Sequence, residues 1–302
     1  SKHPDLFLPN QWPEYYKKAK GIYIWDLNNK RYIDLCLMGV GTNILGYANR
    51  KIDNEVIKSI KNSNMSSLNN INEYYLARDL LKLHPWFGMA KFARTGAEAN
   101  AIALRISRAY TGKENVAVCG YHGWHDWYLA ANYKNKSLDS HLFPNLKTEG
   151  VVKSLKKNIF SFEYNNFEQL KELIKSKKIG TIFMEVSRTY KPKNDFLKKI
   201  RKLSQQKNIV LIFDECSSGF RECNGGLHKK LGVYPDMAMF GKALGNGYAI
   251  TSILGKKNIM KSAENTFISS TFWTEGIGFV AGKATLKEFK RLKPWKEINR
   301  IG

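Results

Sequence analysis

At 302 residues, with 43% hydrophobic and 13% aromatic residues, the chain can bury a large core and is not a disordered segment. Its apolar runs are about four to five residues long, far short of a membrane span, and the opening Ser1-Lys2-His3-Pro4-Asp5 has no signal-peptide core, so no membrane partner and a cytoplasmic location are expected. The net charge of +23 is spread over lysine-rich stretches such as 51–61, 171–178 and 198–207, which read as solvated faces; a basic nucleic-acid-binding protein is the rival from another class, and no nucleic-acid partner is expected.

Residues 1–45 read as the N-terminal segment of a small lobe, in which 21–26 and 30–35 alternate in polarity around Asn28-Asn29 as a hairpin turn. Helical spacing begins near Asp53, with Val56, Ile57 and Ile60 on one face. From about residue 90, helices and short strands alternate, which predicts βαβ layering and a mostly parallel sheet, with 46–260 forming one large α/β domain. A helix after Gly96 should carry Ile102, Ile106 and Ala109 on one side, and a strand follows at 116–119. Asn166 and Gln169 resemble a capping box ahead of Leu170, Leu173 and Ile174. Strands are expected over 181–186, 209–213, 237–240 and 248–254, a helix capped by Asp195 over 196–203, and a last helix over 279–289.

Two of these strands stop at residues that can do chemistry: Leu211-Ile212-Phe213-Asp214 and Met239-Phe240-Gly241-Lys242. Continuous apolar runs read as buried parallel strands, and ligands of open α/β sheets bind beyond the carboxyl ends of such strands. Asp214 and Lys242 should therefore face one crevice. An amine that can form a Schiff base beside a carboxylate that can hold a ring nitrogen protonated suits pyridoxal phosphate. Glycines on both sides of Lys242, at 241 and in Leu244-Gly245-Asn246-Gly247, would let a bulky cofactor approach the backbone.

Other stretches are more ambiguous alone. Thr95-Gly96-Ala97-Glu98 is a glycine turn opening a helix, either a phosphate cradle or an ordinary helix start. Tyr121-His122-Gly123-Trp124-His125 follows a strand; an aromatic there could stack on a planar ring, whereas a metal site from His122 and His125 lacks ligands at the right spacing. The acidic end of 211–215 resembles the magnesium strand of P-loop NTPases, but no Gly-Lys pair is followed by Ser or Thr. The cysteines at 36, 119, 216 and 223 show no metal or C-x-x-C spacing and read as reduced thiols.

Together, Thr95-Gly96-Ala97-Glu98-Ala99, Tyr121-His122-Gly123, Phe213-Asp214-Glu215 with Gly219-Phe220-Arg221, Gly241-Lys242 and Ser270-Thr271 resemble the class III pyridoxal phosphate aminotransferases, glutamate-1-semialdehyde 2,1-aminomutase-like branch. The resemblance runs over roughly 15–290. It implies an α/β fold of the fold-type I transferases, with a mostly parallel central sheet, helices on both faces and a small lobe. It also implies an enzyme with pyridoxal 5'-phosphate as cofactor, acting on a small amino or keto substrate. By the same resemblance Lys242 is the Schiff-base lysine and Asp214 the ring-nitrogen partner, while Gly96 and Ala97 hold the phosphate. Tyr121 stacks on the ring with His122 beside it, Cys216 packs on the opposite face, Glu185 supports the cofactor region, and Thr271 reaches the phosphate of a second subunit in a homodimer with shared sites. Residues 261–302 would then be a cofactor-contacting segment and connecting helix, with a C-terminal domain of the family absent from this chain. Segments 121–127 and 269–275 look like members that aminate precursors of surface polysaccharides, which is the alternative for the substrate. Read without the resemblance, the hydroxyl-rich stretch around Thr271 is equally a helix-capping turn.

Overall fold

A computed structural model describes residues 12–134, 136–141, 146–187 and 189–302. The hairpin is present and forms part of a three-stranded antiparallel sheet: β1 (Tyr16–Lys20), β2 (Tyr23–Asp26) and β3 (Arg31–Ile33). The Asp26 carboxylate accepts from the Asn28 and Lys30 amides, both at 2.9 Å, and Asn29 takes a left-handed φ of 61°, so this turn closes by its own side-chain chemistry. Strand β1, joined through Gly21, adds to the expected pair.

The large sheet contains, in chain order, β4 (Met89–Ala93), β5 (Asn115–Cys119), β6 (Ile159–Ser161), β7 (Ile179–Glu185), β8 (Val210–Asp214), β9 (Met237–Phe240) and β10 (Thr251–Gly255). Their spatial order is β4-β10-β9-β8-β7-β5-β6. The pairs from β9 through β6 are parallel, and β10 is antiparallel to both of its neighbours. Alternation along β8 feeds two cores. Leu211 and Phe213 pack with Leu76, Phe92 and Phe240 on one face, whereas Val210 and Ile212 pack with Ile102, Ile106 and Val116 on the other. This is the expected fold class, and it places Asp214 and Met239 as partners on adjacent parallel strands.

The helices that concern the site are α1 (Arg50–Ile60), α2 (Ile71–Leu83), α3 (Gly96–Thr111), α4 (Phe167–Ser176), α5 (Phe196–Gln206) and α6 (Ile277–Leu292). Several local expectations need correction. On α1 the buried stripe is Ile52 and Val56, packed on Val280, Ala281 and Ala284, while Ile57 and Ile60 are exposed. On α3, Ile102 and Ile106 are buried but Ala109 is exposed, because the sheet covers only the first three turns of that face. Asp195 precedes α5 in a left-handed conformation and makes no cap bond; its carboxylate pairs with Lys198 at 3.0 Å. An N-cap needs an extended backbone to aim its oxygen at the first amides, and the left-handed residue cannot provide that. Asn166 does cap α4, while Gln169 reaches the Glu163 amide instead of closing a box. Tyr248 lies ahead of β10 and donates its hydroxyl to Asp53 Oδ1 at 2.8 Å. After α6 the chain turns at Lys293 into α7 (Pro294–Ile301).

Candidate active site

Asp214 ends β8 buried, with 4% of its surface exposed. Its Oδ2 accepts from His122 Nδ1 at 3.0 Å and from Asn100 Nδ2 at 2.8 Å, and its Oδ1 accepts from the Cys216 amide at 3.1 Å. Burial alone would raise the carboxyl pKa. The hydrogen bond and electrostatic pull of His122, with the Cys216 amide and Asn100, outweigh it and hold Asp214 below the usual carboxylate range. His122 comes from the loop after β5 and Asn100 from the second turn of α3, so three chain segments converge on one acid.

A carboxylate has about four acceptor positions. Three at Asp214 are taken by N–H donors, and among the described residues the remaining capacity meets only the Cys216 thiol, a weak donor. His122 Nε2 and Asn100 Oδ1 are buried without a partner among the described residues. Buried polar atoms are normally satisfied. His122 and Asn100 thus lack a polar partner, and a protonated heterocyclic nitrogen is a stronger donor to Asp214 than the thiol it would displace.

Lys242 follows β9 through Gly241 and sits in a left-handed conformation, φ 43°, at the start of a 3-10 turn. Its Nζ donates to Ser217 Oγ at 2.7 Å. A Cβ built on Gly241 would lie 3.3 Å from Cys216 Sγ, and one built on Gly96 would lie 3.4 Å from the same sulphur. The Cys216 sulphur thus stands between the start of α3 and the corner that carries Lys242. Burial, then the nearby Asp214 charge, pushes the Cys216 thiol pKa well up, so it serves as a packing group rather than a nucleophile.

The start of α3 has the chemistry of an anion site. Thr95 caps it by accepting from the Glu98 amide at 3.2 Å, and Gly96 and Ala97 open the helix, where backbone N–H groups have no intrahelical acceptor. Gly123 has φ +91°, and a Cβ there would lie 2.6 Å from Ala97 Cβ. Only glycine lets the loop after β5 pass so close to the helix start. Tyr121 is held in that loop by its amide, which donates to Glu185 Oε2 at 2.9 Å. Glu185 ends β7, buried, with Gly120 against it: a Cβ on Gly120 would meet that same oxygen at 2.7 Å.

Of the expected residues, the structure brings Asp214, His122, Cys216, Gly96 and Lys242 together, with Tyr121 and Glu185 joined to one another on the adjoining loop. Thr271 is exposed and makes no side-chain hydrogen bond among the described residues. Its segment is anchored in its own chain: Arg94 donates to the Phe272 carbonyl, and Lys91 Nζ lies 3.8 Å from the Trp273 ring centre. His125 takes no part in a metal cluster, and among the described residues no group of metal-ligating side chains forms. Two participants were invisible in the sequence, Asn100 and Ser217. Asn100, a polar residue one turn after Gly96, could have been suspected; Ser217 carried no signal.

Residues 9–302 match the Aminotransferase class-III family. The chain belongs to the class III aminotransferases. It is 35% identical to the 3-aminobutyryl-CoA aminotransferase of Cloacimonas acidaminovorans, over 96% of this chain and 68% of that protein. It is 34% identical to the glutamate-1-semialdehyde 2,1-aminomutase of Methanobrevibacter smithii, over 96% of this chain and 70% of that one. The fold matches an omega-transaminase from Sphaerobacter thermophilus with a TM-score of 0.84 at 23% identity, covering 95% of this chain and 69% of that chain. The chain is a pyridoxal phosphate-dependent enzyme, as its family is, and acts as an aminotransferase or aminomutase. Among the described residues no helix is long and apolar enough to cross a membrane.

Proposed function

We propose that Lys242 is the residue that holds pyridoxal phosphate covalently, with Asp214 on its ring nitrogen, and that the enzyme moves an amino group between carbons of a small molecule in the manner of the glutamate-1-semialdehyde aminomutase branch. The observation that carries this reading is the pairing of parallel strands β8, which ends at Asp214, and β9, which is followed two residues on by Lys242, with the Cys216 sulphur against Gly241 of that corner. When bound, the pyridine ring supplies an electron sink for the carbon that carries the amino group.

The protein's own part follows from its groups. Asp214, kept ionised by His122, Asn100 and the Cys216 amide, can accept a ring N–H in place of the weak thiol donor of Cys216. Lys242 ends on an amine that can take a proton from one carbon and return it to another. The Gly96 and Ala97 amides, at the positive end of α3, suit the phosphate. Tyr121 is the stacking residue, and Glu185 fixes its backbone.

A homodimer with Thr271 reaching the other subunit's phosphate fits the exposure of Thr271 and of Phe272, Leu35, Leu37, Val40 and Leu68, apolar groups that a second subunit would cover. We take the enzyme to be cytoplasmic, working on a small amino or keto substrate, with neither nucleic acid nor membrane as partner. Borohydride reduction of the loaded protein followed by peptide mass mapping tests the lysine: the label should sit on Lys242, and a label on another lysine overturns the reading. Conversion of glutamate-1-semialdehyde with no added amino donor is the expected outcome for an aminomutase; strict dependence on a donor would make it a transferase between two molecules.

A further inference from the structure

Lys242 Nζ has one anchor. Among the described residues it makes no ion pair and no hydrogen bond other than the 2.7 Å contact to Ser217 Oγ. Ser217 is itself clamped. The Arg221 guanidinium donates through Nε to the Ser217 carbonyl and through Nη2 to the Gly41 carbonyl. It meets no carboxylate among the described residues, so its charge is used to hold backbone. Burial lowers its affinity for its proton, yet a guanidinium keeps it.

The carbonyl that Arg221 uses belongs to an unusual turn. Leu37, Met38, Gly39, Val40 and Gly41 all have φ between 42° and 79°. Left-handed backbone is unfavourable for branched side chains, and a run of it is held only where its surroundings over-determine it. A Cβ on Gly41 would lie 2.7 Å from Arg221 Nη2, so the glycine is needed both for its φ and for the seat of the guanidinium. The next residues are tied to the corner after Lys242: Asn246 Oδ1 accepts from the Leu45 amide at 2.8 Å, and Asn246 Nδ2 donates to the Gly46 carbonyl at 3.1 Å. One strap, residues 37–46, thus braces both the residue that holds the amine and the turn that bears it.

We propose that Ser217 is the positioning residue for Lys242: its hydroxyl holds the amine in the orientation from which it engages the cofactor. The inference rests on Lys242 being the cofactor lysine. A hydroxyl suits this role because it can accept from the amine or donate to it, so it holds both protonation states. A carboxylate in its place would favour the ammonium, which is not a nucleophile. A flexible lysine held in place reacts faster than a free one, because orientation is set before the encounter.

The test uses full-length protein stripped of cofactor, as wild type, Ser217→Ala and Ser217→Thr, with two probes. Pyridoxal phosphate can be captured by the amine; pyridoxine phosphate has no aldehyde and reports the non-covalent site alone. In Ser217→Ala, covalent capture, followed by borohydride trapping, should slow by about tenfold, the worth of one hydrogen bond, while pyridoxine phosphate binds as in wild type. Ser217→Thr, which keeps the hydroxyl, should restore capture. Wild-type capture in Ser217→Ala, or equal loss of pyridoxine phosphate binding, or a threonine variant as slow as the alanine one, overturns the role. Trapped label on a residue other than Lys242 removes the reading beneath it; label on Lys242 at an unchanged rate removes only the assignment of Ser217.

Discussion

Asp214 and Glu215 are consecutive buried carboxylates, and each faces the Nδ1 of a buried histidine, yet the two surroundings differ in one respect. Glu215 accepts from four donors, two on each oxygen: His228 Nδ1 and the His228 amide on Oε1, Ser218 Oγ and the Leu227 amide on Oε2. Trp86 and Phe213 lie against the His228 ring. Asp214 accepts from three N–H donors and otherwise only from the Cys216 thiol, a weak donor. His122 Nε2 and Asn100 Oδ1 beside it are buried without a partner among the described residues, as is His228 Nε2 beside Glu215, so the contrast lies in the carboxylates' own donors. Burial would raise both acids; the histidines and the amides outweigh it and hold both below the usual carboxylate range. A filled set of donors makes a closed structural joint. One completed only by a thiol, at the carboxyl end of a parallel sheet, can exchange that weak donor for a ligand's N–H.

The largest effect that would break this contrast is on turnover. Asp214→Asn should keep the fold and some cofactor but lose several orders of magnitude in kcat, with KM changing less, because a neutral amide cannot keep a ring nitrogen protonated. Steady-state kinetics check this, and near wild-type kcat would erase the distinction. Glu215→Gln should act in the opposite sense. An amide sets its NH2 against donors, and each buried group left unsatisfied costs about 1–3 kcal/mol. Denaturant unfolding should show that loss, while cofactor absorbance persists in the molecules that stay folded.

Two smaller effects sharpen it. Thr271→Val should weaken cofactor retention by roughly ten- to hundredfold, the worth of about 1.5–3 kcal/mol for a hydrogen bond to a charged phosphate. Hybrid dimers of Thr271→Val with Lys242→Ala should regain part of their activity, since one of their two sites would carry neither defect; no rescue in proven hybrids would count against shared sites. His84 lies on the Glu215 side. Its Nδ1 donates to the Leu80 carbonyl at 2.9 Å and its Nε2 accepts from the Gly226 amide at 3.0 Å, so only the neutral ring satisfies both. Burial lowers its pKa from 6.5 to about 3. Between those values the unfolded ring binds a proton that the folded one refuses, so stability falls as pH drops through that window and is fully present above 6.5. His84→Gln, which can make both contacts without titrating, should flatten that slope in urea midpoints measured across the same range.

The sequence made the two acids' strand and the lysine's strand legible because buried parallel strands are unbroken apolar runs, and a polar residue ending one is conspicuous. It could not tell the acids apart, since they differ only in what other segments bring to them. Asn100 and Ser217 depend on the register between α3, the loop after β5 and the corner after β9, for which no periodicity speaks. The errors on Ile57, Ile60 and Ala109 have the same origin: spacing defines a stripe, but the neighbour that covers it decides where the stripe ends. Strand β10 was visible as a strand, whereas its antiparallel direction was not.

Whether Asp214 receives a ring N–H is read most directly, without recourse to turnover, by nitrogen-15 NMR of the loaded enzyme with the label in the cofactor ring. A protonated ring nitrogen is expected in wild type and in folded Glu215→Gln, and an unprotonated one in Asp214→Asn. A ring nitrogen that stays protonated in Asp214→Asn would contradict that role of Asp214.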